Sequence, residues 1–203
     1  MATTTTNYGF DIPQSTDLVK DGATAIATLG QDIDTAMNTA LGTKKAGMVL
    51  LNTTSFSGVS SQSVNDVFSA TYQNYKIVLN ISASGTSNDL QLRLRVSSTD
   101  ATTNYNRYAV AINSAGSTVN YGSGTSTGFF YIAQTSNIDT GVEFNLFSPF
   151  ESVATKFTVT SSGGTSPVLG GGRHTTASSY TGFTLIPDSS TITGTVRTYG
   201  FNN

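Results

Sequence analysis

A mainly β chain is predicted: an antiparallel, jelly-roll-like β-sandwich preceded by one N-terminal α-helix and an extended arm. Three observations predict it. Alternating apolar residues recur in short runs from Met48 onward, the period of strands with one buried face. The composition favours Thr, Ser, Gly, Asn and Tyr over Glu and Lys, which disfavours helix and favours strands and turns. Only Thr16 to Gly42 carries a long helical period. The expected divisions are an arm at 1–15, a helix at 16–42 and a β domain at 48–203.

The arm, TTTTNYGFDI, is polar except at Tyr8, Phe10 and Ile12. Those side chains either anchor into a neighbour or lie on the chain's own helix as a hydrophobic staple.

In the helix, Val19, Ile26, Ile33 and Ala40 are seven residues apart, with Gly22, Leu29 and Ala36 at the second seam position. An apolar residue every 3.5 positions keeps one stripe facing a neighbouring helix. Ser15, Thr16 and Asp17 offer capping oxygens, and Asp17 and Asp21 suit the positive end of the dipole. Pro13 lies upstream, where it breaks no helical bond. Gly42 suits a left-handed cap, with Lys44 and Lys45 near the negative end. Gly22 and Gly30 each cost about 1 kcal/mol relative to Ala. A helix of this length is marginal alone, so it needs a partner, either its own β domain or other chains. Ile with Leu at the seam leans toward two strands, and the small residues blur that preference.

After a short junction at 43–47, the expected strands are Met48–Phe56, Tyr75–Ala83, Asp89–Ser97, Tyr105–Asn113, Phe129–Ala133, Gly141–Phe147, Ala154–Thr160, Arg173–Ala177, Thr181–Ile186 and Thr191–Phe201. Phe68–Tyr72 is read as a turn. Residues 75–83 and 89–97, joined by SGTSND, read as an antiparallel hairpin. Gly/Ser-rich stretches fill 114–128 and 161–172, and Pro149 ends a strand. Strands at this spacing suit a sandwich or barrel. The core candidates are Phe56, Phe68, Ile77, Leu79, Leu92, Leu94, Phe144, Leu146, Phe157 and Leu185.

A net charge of −2 with 11% charged residues leaves no nucleic-acid footprint, and no basic cluster exceeds Lys44-Lys45. The absence of cysteine excludes disulfides and thiolate metal sites. No run approaches the ~20 apolar residues of a membrane span, so no membrane insertion is expected. The start lacks a signal-peptide pattern, so synthesis in the cytoplasm is expected.

Little points to catalysis. His174, in GGGRHTT, is the one histidine; without cysteine it cannot build a metal site unless symmetry copies or carboxylates complete it. It reads as a surface or strand residue beside flexible glycines. Gly170-Gly171-Gly172-Arg173 lacks the Walker lysine and a following helix, and reads as a loop or a close backbone approach. Glu143, Glu151, Asp32, Asp34, Asp139 and Asp188 form no evident acid–base pair. No G-x-S-x-G elbow or Asp-rich calcium loop is present. No enzyme, cofactor or metal is therefore expected.

Arg93 and Arg95 share the outer face of one strand. They are either solvated charges that blunt the sheet or contacts to an acidic neighbour or anionic sugar. Tyr105, Tyr108, Tyr121, Tyr131 and Tyr180 lie near loops and strand ends. Tyr among Ser, Gly and Asn is a recognition chemistry, giving rigid apolar area plus a hydroxyl. The candidate ligand contacts are Tyr105, Tyr108, Tyr121, Arg93 and Arg95.

The opening NYGFDIPQSTDLVKDGATAIATLGQDIDTAM resembles the N-terminal segment of tailed-bacteriophage structural proteins of the tail-fibre or minor-tail type, over residues 7–37. FSATYQNYKIVLNISASGTSNDLQLRLRV with YNRYA, about residues 68–108, looks like a β domain common in such proteins. The resemblance implies a virion protein, commonly a homotrimer. Its N-terminal region, here Tyr8, Phe10, Val19, Ile26, Leu29 and Ile33, would assemble it and attach it to tail, neck or capsid proteins. A β-sandwich or jelly-roll-like tip would meet a host-surface glycan. No long fibrous repeat separates the two parts, which favours a short fibre or a decoration protein. The alternative is a purely structural capsid or neck decoration. A glycan-active enzyme would need a carboxylate cluster.

Overall fold

A computed structural model describes residues 3–12, 18–41, 47–85, 88–112, 118–120, 124–135, 139–163 and 166–201. They fall into two compact units, Met1–Ala46 and Gly47–Asn203.

In the first unit, β1 (Thr3–Thr4) and β2 (Asp11–Ile12) pair antiparallel. The turn is held by Thr5 N–H donating to Phe10 O (2.9 Å) and Phe10 N–H donating to Thr5 Oγ1 (2.9 Å). Gly9 closes it at φ +68°, a conformation glycine adopts freely. Helix α1 follows at Val19–Leu41, with Asp21 in its first turn. The expected capping residues Ser15, Thr16, Asp17 and Gly42 lie outside the described residues.

The second unit contains β3 (Met48–Val59), β4 (Gln62–Val64), β5 (Asn74–Ser84), β6 (Asn88–Val96), β7 (Thr99–Asp100), β8 (Tyr105–Ile112), β9 (Thr118–Asn120), β10 (Gly124–Thr127), β11 (Phe130–Thr135), β12 (Thr140–Phe147), β13 (Ala154–Gly163), β14 (Val168–Ala177), β15 (Gly182–Pro187) and β16 (Ile192–Phe201). The larger sheet runs β10-β8-β14-β13-β12-β5-β16-β3, with β9 also on β8. The smaller runs β11-β6-β15-β4, with β7 on β6. Both are antiparallel, and this is the predicted β-sandwich.

Its core lies between the sheets. Tyr75, Ile77, Leu79 and Ile81 of β5 and Val142, Phe144 and Leu146 of β12 bury one face of the larger sheet. Leu90, Leu92 and Leu94 of β6 and Phe183 and Leu185 of β15 bury the facing side of the smaller. Phe130 reaches across to Phe157, ring centroids 3.9 Å apart. All ten expected core residues are buried there.

Two expectations are corrected. Strands β5 and β6 are not a hairpin: β5 pairs with β12 and β16, and β6 with β11 and β15. Each has one apolar face, and the faces meet across the core instead of lying side by side. The glycine-rich run 161–172 is largely strand, since Ser161–Gly163 belongs to β13 and Val168–Gly172 to β14. Of the two readings of Gly170–Gly172, the structure gives the close backbone approach. A Cβ on Gly170 would stand 2.7 Å from Tyr108 O on neighbouring β8.

Candidate functional site

Within the first unit, the N-terminal half of the α1 seam is open and its C-terminal half is partly covered by the arm. Val19 is 96% exposed, Ile26 66% and Ile33 40%. Leu29 is half-buried. A Cβ at Gly22 would meet nothing within 4 Å, so no packing within the first unit explains a glycine there. The arm lies on the chain's own helix, as one of the two readings had it, though on the C-terminal half and not as a staple at the helix start. Tyr8 and Phe10 stack with centroids 5.6 Å apart, and with Ile33, Ala36, Met37 and Ala40 they line an apolar pocket of 240 Å³ at the C-terminal half of the helix.

In the second unit the expected contact residues separate. Tyr105 is corrected from ligand contact to core. It is fully buried, its hydroxyl accepts from Leu94 N–H (2.9 Å) and donates to Ala101 O (3.0 Å), and its ring meets Phe130 edge-on. Arg95 is also corrected. It is buried, donating from Nη1 to Thr184 Oγ1 (3.0 Å) and from Nε to Ser97 O (3.1 Å), with Asp100 Oδ1 at 3.5 Å. Thr184 in turn donates to Asp100 (2.7 Å), so this polar knot ties β6, β7 and β15 together. Arg93 is half-buried and donates to Gly128 O (2.9 Å). Tyr131 and Tyr180 are buried too. Tyr108 remains, 58% exposed. Tyr121 lies outside the described residues.

His174 is buried in β14 and not on the surface. Its Nε2 is 2.9 Å from Thr103 O and its Nδ1 3.0 Å from the Tyr180 hydroxyl. The carbonyl can only accept, so Nε2 carries the proton and Nδ1 accepts from Tyr180. Burial holds the imidazole pKa below its ordinary value, against the opposing pull of the Thr103 carbonyl. The unfolded imidazole therefore protonates first as pH falls. The stability this residue contributes is complete above the unfolded pKa of about 6.5 and is lost below it. Denaturant midpoints should decline on going below that pH, and His174→Gln should flatten this part of the profile.

The sequence also concealed an ionisable group at one sandwich end. Asp89 N–H donates to Asp188 Oδ1 (3.0 Å), and Asp188 N–H to Asp89 O (3.0 Å). Burial raises the Asp89 carboxyl pKa, neighbouring Asp188 adds to this, and Arg107 opposes it. Arg107 lies over the Phe129 ring at 4.4 Å. These contacts fix the start of β6 to the segment after β15. Among the described residues no three metal-ligating side chains gather, and no helix is long and apolar enough to cross a membrane.

Among the grooves on the larger sheet, one of 390 Å³ is lined by Asn106, Tyr108, Lys156, Gly172 and Arg173; a second of 390 Å³ is lined in part by Asn80, Glu143, Thr160 and Arg197. Strand pairing builds the first. Tyr108 is the register partner of Gly171, whose missing side chain leaves the ring uncrowded, and Arg173 is the partner of both Asn106 and Lys156. No protein-family model matches this chain, and no curated protein matches it.

Proposed function

We propose that this chain is a non-enzymatic structural protein of a tailed-phage particle, a short fibre or adhesion protein. Its N-terminal unit assembles copies, as a homotrimer, and holds them to the virion. Its β unit is displayed toward a host-surface glycan. The observation that carries this reading is the heptad spacing of Val19, Ile26 and Ile33, with Val19 and Ile26 well exposed within the first unit on a helix that is marginal by itself. The resemblance of residues 7–37 and 68–108 to such proteins supports it, as does a sandwich presenting an exposed Tyr108. Linked copies would raise the effective concentration of weak sites, turning them into firm attachment.

Adsorption of purified protein to candidate host cells tests this. Wild type should adsorb, and Ile26→Asp, which charges the seam, should adsorb far less because avidity is lost. Tight binding to capsid shells with no binding to any host surface would contradict adhesion and favour a decoration protein.

A further inference from the structure

We propose that the groove around Tyr108 is a binding site for an acidic saccharide, a chain of carboxylate-bearing sugars. This rests on the adhesion reading and names its ligand class.

Folding alone does not favour one pairing on this face. Lys156 on β13 and Arg173 on β14 are direct register partners, both exposed on the same face. Like charges directly opposite on a sheet destabilise it. Among the described residues no carboxylate forms an ion pair with either. Elsewhere on the same sheet Lys76 is neutralised by Glu143 at 3.0 Å. An unpartnered cation pair on a chain of net charge −2 marks a place where an incoming anion completes the structure.

The neighbours say which anion. Tyr108 stands diagonally from Arg173, about 7–8 Å away between such positions, a span that one sugar ring bridges. An exposed aromatic ring offers an apolar platform to the C–H face of a pyranose. Arg173 presents a planar fork that matches a carboxylate bidentately. Lys156 adds a second, less directional charge, and the Asn106 amide flanks the sugar hydroxyls. A bare inorganic anion would have no use for the tyrosine. Nucleic acid is disfavoured, because two cations fall far short of the roughly 6–10 phosphate contacts of such interfaces.

The test is calorimetric titration of the full chain with oligogalacturonate, hyaluronan oligosaccharides and oligosialic acid, with maltohexaose as neutral control and inorganic phosphate as simple anion. At least one acidic chain should bind, more weakly as salt rises, and maltohexaose should not. The Kd should rise about tenfold or more in Tyr108→Ala and in the double variant Lys156→Gln/Arg173→Gln. Each single cation variant should melt no lower than wild type, since a like-charge contact is removed.

The proposal is overturned if none of the three acidic chains binds, if maltohexaose or phosphate binds as well as they do, or if the double variant keeps wild-type affinity. Lower melting temperatures in the single variants would also overturn it, because the cations would then serve stability. Host-cell adsorption separates the two readings. A double variant that adsorbs like wild type sinks this groove and leaves adhesion standing, whereas wild type that adsorbs to no host surface sinks adhesion.

Discussion

Replacing Tyr105 with Ala is expected to lower the unfolding free energy of the β unit by about 4 kcal/mol, close to half the stability of many domains. The ring is fully buried, 4.7 Å edge-on from Phe130 and 4.4 Å from the His174 ring. Alanine would leave a cavity where three aromatic groups converge. It would also orphan Leu94 N–H and Ala101 O, both served by the phenolic hydroxyl. Tyr105→Phe keeps the ring and removes only the hydroxyl, so its cost should be smaller, about 1–3 kcal/mol. Urea midpoints at constant slope measure both. A change below about 1 kcal/mol for the alanine variant would refute this reading of the core.

Gly172→Ala should rank next, at about 3 kcal/mol. A Cβ there would press on the carbonyl oxygen of Asn106, stand 2.7 Å from Phe157 Cε1 and 3.0 Å from Arg107 Cα. The backbone of β8 cannot yield without loosening its ladder with β14, and the Phe157 ring is held between Phe130 and Phe144. Gly141→Ala on β12 is the matched control. Its Cβ would meet only Ser162 Oγ, at 3.3 Å, and its effect should stay within about 1 kcal/mol. Equal costs at the two positions would show that strand glycines act here through general propensity and not through contact.

What the sequence made legible follows from what periodicity encodes. Alternation specifies which face of a strand is apolar, so Ile77, Leu79, Leu92, Leu94, Phe144 and Leu146 were recognisable as core. It does not say which sheet a strand joins, so β5 and β6 read as a hairpin although they face each other across the core. Strands β4, β7, β9 and β10 are too short to show any period. Tyr105 could have been placed by parity, because it alternates with Ala109 and Ala111 on the inward face while Tyr108 alternates with Asn106 and Val110. Arg95 gave no such signal: its outward parity is right, and only the folding of Asp100 and Thr184 around it buries it. Lys156 and Arg173 lie on consecutive strands, and only the register of β13 with β14 makes them neighbours. The helix was the reverse case: its spacing is local, so residues 16–42 read as helical, and Val19–Leu41 is helix.

On the fibre reading proposed above, the helix seam holds copies of the chain together. Light scattering of the full chain, beside a chain beginning at Gly47, tests it most directly. The expected masses are about three times 21.2 kDa for the full chain and that of a monomer for the shortened one. A full-length protein that stays monomeric, or a shortened chain that still trimerises, would contradict it.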